Sequence, residues 1–95
     1  MKSILQEDKC CYLCGCTYGL EKHHIFAGSN RRISERLGLW VYLCGAWTPK
    51  NCHTGTDGAQ YNKELNLRLK REAQAAYERT HTRREWMEII RKNYL

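Results

Sequence analysis

Four short stretches bring cysteine and histidine together in one order. They are Cys11-Tyr12-Leu13-Cys14-Gly15, Glu21-Lys22-His23-His24-Ile25-Phe26, Leu43-Cys44 and Cys52-His53. Side chains of this kind act when they converge, so the order constrains the fold more than any hydrophobic run does. At 95 residues the chain is expected to form one domain, 1–95, whose single core is marginal and gains from a metal staple. The first nine residues carry charges and no apolar h-region. No run approaches the roughly 20 apolar residues of a membrane span. The expected location is therefore the cytoplasm, where thiols stay reduced and six cysteines read as metal ligands rather than disulfides. A net charge of +6 suits an anionic partner, with nucleic acid ahead of a membrane.

Cys11-x2-Cys14-Gly15 has the form of a zinc knuckle. Two thiolates reach one ion, and the glycine frees backbone amides to point at sulfur. Cys10 and Cys16 lie beside it, and either could replace a member. Cys44 and Cys52 supply the other two ligands of a closed, tetrahedral structural Zn2+ site. Their C-x7-C spacing is wider than the usual C-x2-C, but a few extra loop residues add only roughly half a kcal/mol of closure entropy. Buried free thiols are the competing reading. His23, His24 and His53 are then left over. They could be zinc ligands, structural histidines or catalytic groups. A neutral imidazole near pH 7 can take a proton from water or bind a divalent ion.

The elements follow from local pattern. Tyr18 to Phe26 reads as a short strand entering a loop. Gly28-Ser29-Asn30 is a turn, in which Asn30 or Ser29 caps a short helix that runs through Leu37 and ends at Gly38. Leu39-Trp40-Val41-Tyr42-Leu43 is β-branched and aromatic, and reads as a second strand delivering Cys44. The loop from Gly45 to Asn51 returns the chain to Cys52-His53. Asp57-Gly58-Ala59-Gln60 opens a long helix, with Asp57 as cap and Gln60 reaching back. Tyr61, Leu65, Leu69, Ala73, Ala76 and Tyr77 form its apolar stripe. Lys63, Arg68, Lys70 and Arg71 lie on the other face, with Glu64 and Glu72 spaced to pair with Arg68. Thr82-Arg83-Arg84-Glu85 is a capping box for a last helix over about 83–93, with Trp86, Ile89 and Ile90 as its core face. The fold class is α+β. Adjacent strand residues point to opposite faces, so His23 and His24 can share a site only if the strand ends or bulges there.

A strand ending in His-His-Ile, a loop, a strand ending in Leu-Cys, then Cys-His at a helix start resembles the HNH endonucleases of the ββα-metal (His-Me finger) group. It is most similar to small stand-alone proteins of bacteria and their phages, over roughly residues 10–80. The resemblance implies a zinc-stapled core of a two-stranded antiparallel hairpin plus a helix, with additional C-terminal helices. It places the zinc quartet on Cys11, Cys14, Cys44 and Cys52. It makes His24 the general base, and His23 and His53 the ligands of a catalytic divalent ion. Three departures stand out: His23 replaces the usual aspartate, the asparagine before Leu-Cys is absent, and the second cysteine pair is widened. Asn62 or Gln60 could substitute for the asparagine.

The resemblance implies a metal-dependent endonuclease that nicks DNA in a bacterial or phage-infected host cell. His24 would remove a proton from water, and Mg2+, Mn2+, Co2+ or Ni2+ would stabilise charge on the leaving oxygen. Products would carry 5′-phosphate and 3′-hydroxyl ends. Two imidazole ligands favour the later transition metals over magnesium, and Glu21, two residues before His23, could add an oxygen ligand. Arg31, Arg32 and Lys50 are candidates to hold the phosphate, and Arg68 and Arg71 to hold DNA; each alone also fits a solvated surface. The alternative is a non-catalytic zinc-binding module that grips nucleic acid, which needs neither His23 nor His24.

Overall fold

The computed structural model describes the chain except residues 56, 57, 60 and 61. Strand β1 (Leu20–His24) leads through a single 3-10 turn (Gly28–Asn30) into helix α1 (Arg31–Leu37), then strand β2 (Trp40–Cys44). Helices α2 (Lys63–Tyr77) and α3 (Arg83–Ile89) follow. The architecture is a small α+β fold with one two-stranded antiparallel sheet. The register pairs Leu20 with Cys44, His23 with Val41 and His24 with Trp40.

The first strand is narrower than its apolar pattern suggests, because Tyr18 and Gly19 lie outside the ladder and Phe26 turns away from it. Ser34 explains the turn. Its buried hydroxyl donates to the Phe26 carbonyl at 2.7 Å and accepts from the Phe26 N–H at 3.0 Å. The chain leaving β1 is thus tied to the middle of α1. Asn30 does occupy the N-cap of α1, but its side chain makes no capping bond. Gly38 ends that helix at φ 73°, a left-handed conformation that glycine adopts without strain. A Cβ there would also collide with the Lys2 carbonyl oxygen. Residues 3–6 run irregularly along the outer edge of β2. The Ser3 hydroxyl donates to the Trp40 carbonyl, and the Tyr42 N–H donates to the Gln6 side chain at 2.6 Å.

Helix α2 starts at Lys63, later than the sequence suggests. Its cap is Asn62, whose side chain accepts from the Leu65 N–H. The expected cap Asp57, its partner Gln60 and the first stripe residue Tyr61 lie outside the described residues. Leu69, Ala73, Ala76 and Tyr77 are buried as the stripe requires. Arg68 pairs with Glu72 at 2.9 Å, and no Glu64–Arg68 pair forms among the described residues. The Thr82–Glu85 capping box is present in full. Helix α3 stops at Ile89 rather than near residue 93, since Arg91 takes a φ of 68° and the Trp86 indole N–H bonds the Lys92 carbonyl at 2.9 Å. The core gathers Leu39 just before β2, Val41 and Leu43 of β2, Phe26, Leu69 and Tyr77, and the fully buried Trp86, which packs on both Phe26 and Tyr77.

No helix among the described residues is long and apolar enough to cross a membrane.

Candidate functional site

Two side-chain clusters lie beside the sheet and meet at Cys52 and His53. The first is sulfur. The Sγ atoms of Cys11, Cys14, Cys44 and Cys52 all lie within 4.8 Å of one another, with Cys14 and Cys44 at 3.6 Å. Zinc bonded tetrahedrally to four thiolates at about 2.3 Å separates its sulfurs by about 3.8 Å. The four cysteines can therefore hold one metal ion such as zinc. Cys10 and Cys16 are not part of the cluster, and the Cys16 thiol donates to the Tyr18 carbonyl.

Local structure delivers each ligand. Gly15 at φ 82° closes the knuckle, its N–H donating to the Cys11 carbonyl at 2.9 Å. Tyr12 bonds the β2 edge through Tyr42, setting Cys11 beside Cys44. The wide C-x7-C loop folds on itself, so its length does not carry Cys52 away. Thr48 bonds Gly45, and Asn51 in turn bonds Thr48 and holds Thr54. The Cys52 N–H then points at the Cys44 sulfur, 3.4 Å away. Burial opposes the Cys44 thiolate, yet hydrogen bonds such as this one hold its pKa down to about 6. Burial and the neighbouring sulfurs push Cys52 the opposite way. Four such thiols ionise together only around a cation.

The second cluster is imidazole. His23 is buried on β1, and its Nε2 has no hydrogen-bond partner among the described residues. Burial, then the adjacent His53 and His24 rings, lower its pKa to about 4, so it is neutral at pH 7. The His53 ring stands edge-on to it, centroids 5.1 Å apart. His53 is carried there by Cys52, because its N–H bonds the Cys44 carbonyl at 3.1 Å. The sulfur cluster thus fixes one member of the imidazole cluster.

Two carboxylates back these rings. Glu21 Oε1 lies 3.0 Å from His53 Nδ1. Its side chain passes over Gly45, where any Cβ would collide with the carboxylate. Glu21 thus contacts the second ring rather than standing free as an oxygen ligand. Glu35 Oε2, on α1, lies 2.7 Å from His24 Nε2. The hydrogen bonds from His24 and Lys22 hold the Glu35 carboxyl down at about 2. Lys22 is itself set by the Trp40 ring, 4.1 Å below its Nζ. Glu35 was not singled out in the sequence. The signal was available: Lys22 and His24 alternate onto one strand face, and Glu35 follows the buried Ser34 on the helix that covers it.

The strand does end at His24, without a bulge, and the two histidines keep opposite faces. Both nevertheless line one concavity of about 390 Å³, together with Lys22, Arg31, His53 and Asn66. Arg32 lines an adjoining concavity with His24, Arg31 and Glu35. Lys50 lies instead beside Cys14 and Cys44, near the sulfur cluster. Arg68 is held by Glu72, and the Arg71 Nε–H bonds the Tyr94 carbonyl at 3.2 Å. None of the last three lines the histidine groove. Asn62, considered as a stand-in for the absent asparagine, is occupied as the α2 cap.

The donor sets differ in kind. Four thiolates suit a soft or borderline ion held permanently. The two imidazoles at the groove, one with an orphaned nitrogen and one backed by a carboxylate, offer nitrogen donors instead. Comparison with models of known protein families, with curated proteins and with solved structures gives no significant match to this chain.

Proposed function

We propose that this chain is a metal-dependent endonuclease of the HNH kind that nicks DNA, with His24 as the general base. The observation that supports the reading is the meeting of His23, His24 and His53 at one basic groove, with the buried His23 Nε2 left unpartnered. An orphaned buried nitrogen is uncommon and calls for a partner such as an ion.

The roles follow from contacts. Cys11, Cys14, Cys44 and Cys52 hold a structural zinc. His23 and His53 hold the catalytic divalent ion, and Glu21 keeps the His53 Nδ1–H donating to it so that Nε2 stays free. When bound, that ion supplies Lewis-acid stabilisation of the charge that develops on the phosphodiester. Glu35 accepts the His24 Nε2–H, which leaves the Nδ1 lone pair to take a proton from water. Lys22 holds Glu35 in place at 3.0 Å. Arg31 lines the same groove and is placed to grip a phosphate oxygen.

The test is nicking of supercoiled plasmid by purified protein, with and without added Mn2+ or Mg2+. Conversion to open circles only when a divalent ion is added supports the reading. Binding of DNA with no nicking under any metal would leave the zinc-binding nucleic-acid module instead.

A further inference from the structure

One face of α2 is unused by the roles above. Lys63, Asn66, Leu67 and Lys70 recur at helical spacing and share a face beside the buried stripe. With Lys92 and Tyr94 from the tail beyond α3, and Asn62, they line a concavity of about 450 Å³. Among the described residues, none that lines it is acidic. Among the described residues, Lys63, Lys70 and Lys92 take part in no ion pair, whereas Arg68 on the neighbouring face is tied to Glu72.

The tail wall of this groove is built rather than incidental. The fully buried Gln74 accepts from the Tyr94 N–H at 2.7 Å and donates to the Asn93 side chain at 2.8 Å. Trp86 holds the Lys92 carbonyl. The Tyr94 ring lies under both Lys70 and Lys92, whose ammonium groups are 5.8 and 5.3 Å from its centroid. Lys70 and Lys92 are thereby kept facing one trench, with less freedom left to lose on binding, and Lys63 lines the same trench. The trench adjoins the histidine groove at Asn66, which lines both.

We infer that this trench is the track for the phosphate backbone of duplex DNA, entering the histidine groove past Asn66. Lys63, Lys70 and Lys92 are its phosphate contacts, in place of Arg68 and Arg71. The inference rests on the reading that DNA is the substrate, and it concerns grip rather than cleavage. Each phosphate contact contributes about 0.9 to the slope of log affinity against log salt.

The experiment measures binding of a fluorescein-labelled duplex by anisotropy, without added divalent ion, over a series of salt concentrations. The proteins compared are the parent, K63Q/K70Q/K92Q and R68Q/R71Q, each checked for unchanged thermal unfolding. The expected result is a slope lower by about 2 to 3 for the lysine variant. The arginine pair should lose less than half as much. An unchanged slope in the lysine variant, or a larger loss in the arginine pair, overturns the inference. Plasmid nicking by the parent is scored separately. A lost slope with no nicking upholds the track and sinks the nuclease, and nicking with an unchanged slope does the reverse.

Discussion

Cys14→Ser separates a ligand from a mere thiol, because Cys14 is only half-buried and serine nearly matches its shape. As a free thiol its loss would cost about 1 kcal/mol or less, in line with other near-surface changes. As one of four zinc ligands it supports a bound ion worth about 10–16 kcal/mol in small zinc domains. A 95-residue chain has a total stability of roughly 5–14 kcal/mol. Losing even half the metal's contribution therefore removes most of what keeps the domain folded. Cys16→Ser is the matched control. It is also half-buried, but its thiol reaches only the Tyr18 carbonyl. Thermal unfolding followed by circular dichroism, with elemental analysis of the same samples, reads both quantities. The expected outcome is one zinc per parent chain, an unfolded or insoluble Cys14→Ser, and Cys16→Ser within a few degrees of the parent. A folded parent without metal, or a Cys14→Ser variant that melts with the parent, refutes the reasoning.

Three further outcomes are expected. His23 is held down to about 4 by burial and its neighbouring rings, against an ordinary 6.5. The unfolded chain then takes up this proton first, so stability is complete above pH 6.5 and about 3 kcal/mol of it is lost as pH falls through 4. Denaturant unfolding at pH 7 and 4.5 should show a smaller loss for His23→Gln than for the parent; equal losses count against it. Gly45→Ala should push the Glu21 carboxylate off His53 and raise the Mn2+ concentration for half-maximal nicking by about 10- to 100-fold with little change in melting temperature. An unshifted Mn2+ titration would show that Glu21 does not position His53. Mn2+, Co2+ or Ni2+ should support nicking better than Mg2+, given two imidazole donors; equal or higher rates with Mg2+ would remove the imidazole pair from the metal site.

Much of the fold could be read from the chain because the elements carry local signals. The Thr82–Glu85 box, the Gly38 stop and the β-branched run before Cys44 each act within a few residues, and each appears where expected. The cysteine quartet was legible for a different reason: only four thiols that meet can serve one ion, which left Cys10 and Cys16 as the uncertainty. The four sulfurs that meet leave out both, and Cys16 turns toward Tyr18. What stayed hidden depends on side chains meeting across the fold. Ser34 and Gln74 are polar residues within helices, yet both are fully buried and hold the loop after β1 and the C-terminal tail. Glu35 carries no sequence signal of its own and Glu21 reads only as a possible oxygen ligand, because nothing in linear spacing shows which histidine each will reach. The early end of α3 is set closer by, where the Trp86 indole N–H bonds the Lys92 carbonyl just past the helix.

The account depends most on His24 as the proton acceptor. Nicking rates of the parent and His24→Ala, measured on supercoiled plasmid with saturating Mn2+, test it directly, with zinc content and duplex binding recorded for the same preparations. The account predicts a rate ~10²–10⁴-fold lower with zinc and binding unchanged. A His24→Ala variant that nicks as fast as the parent would contradict it.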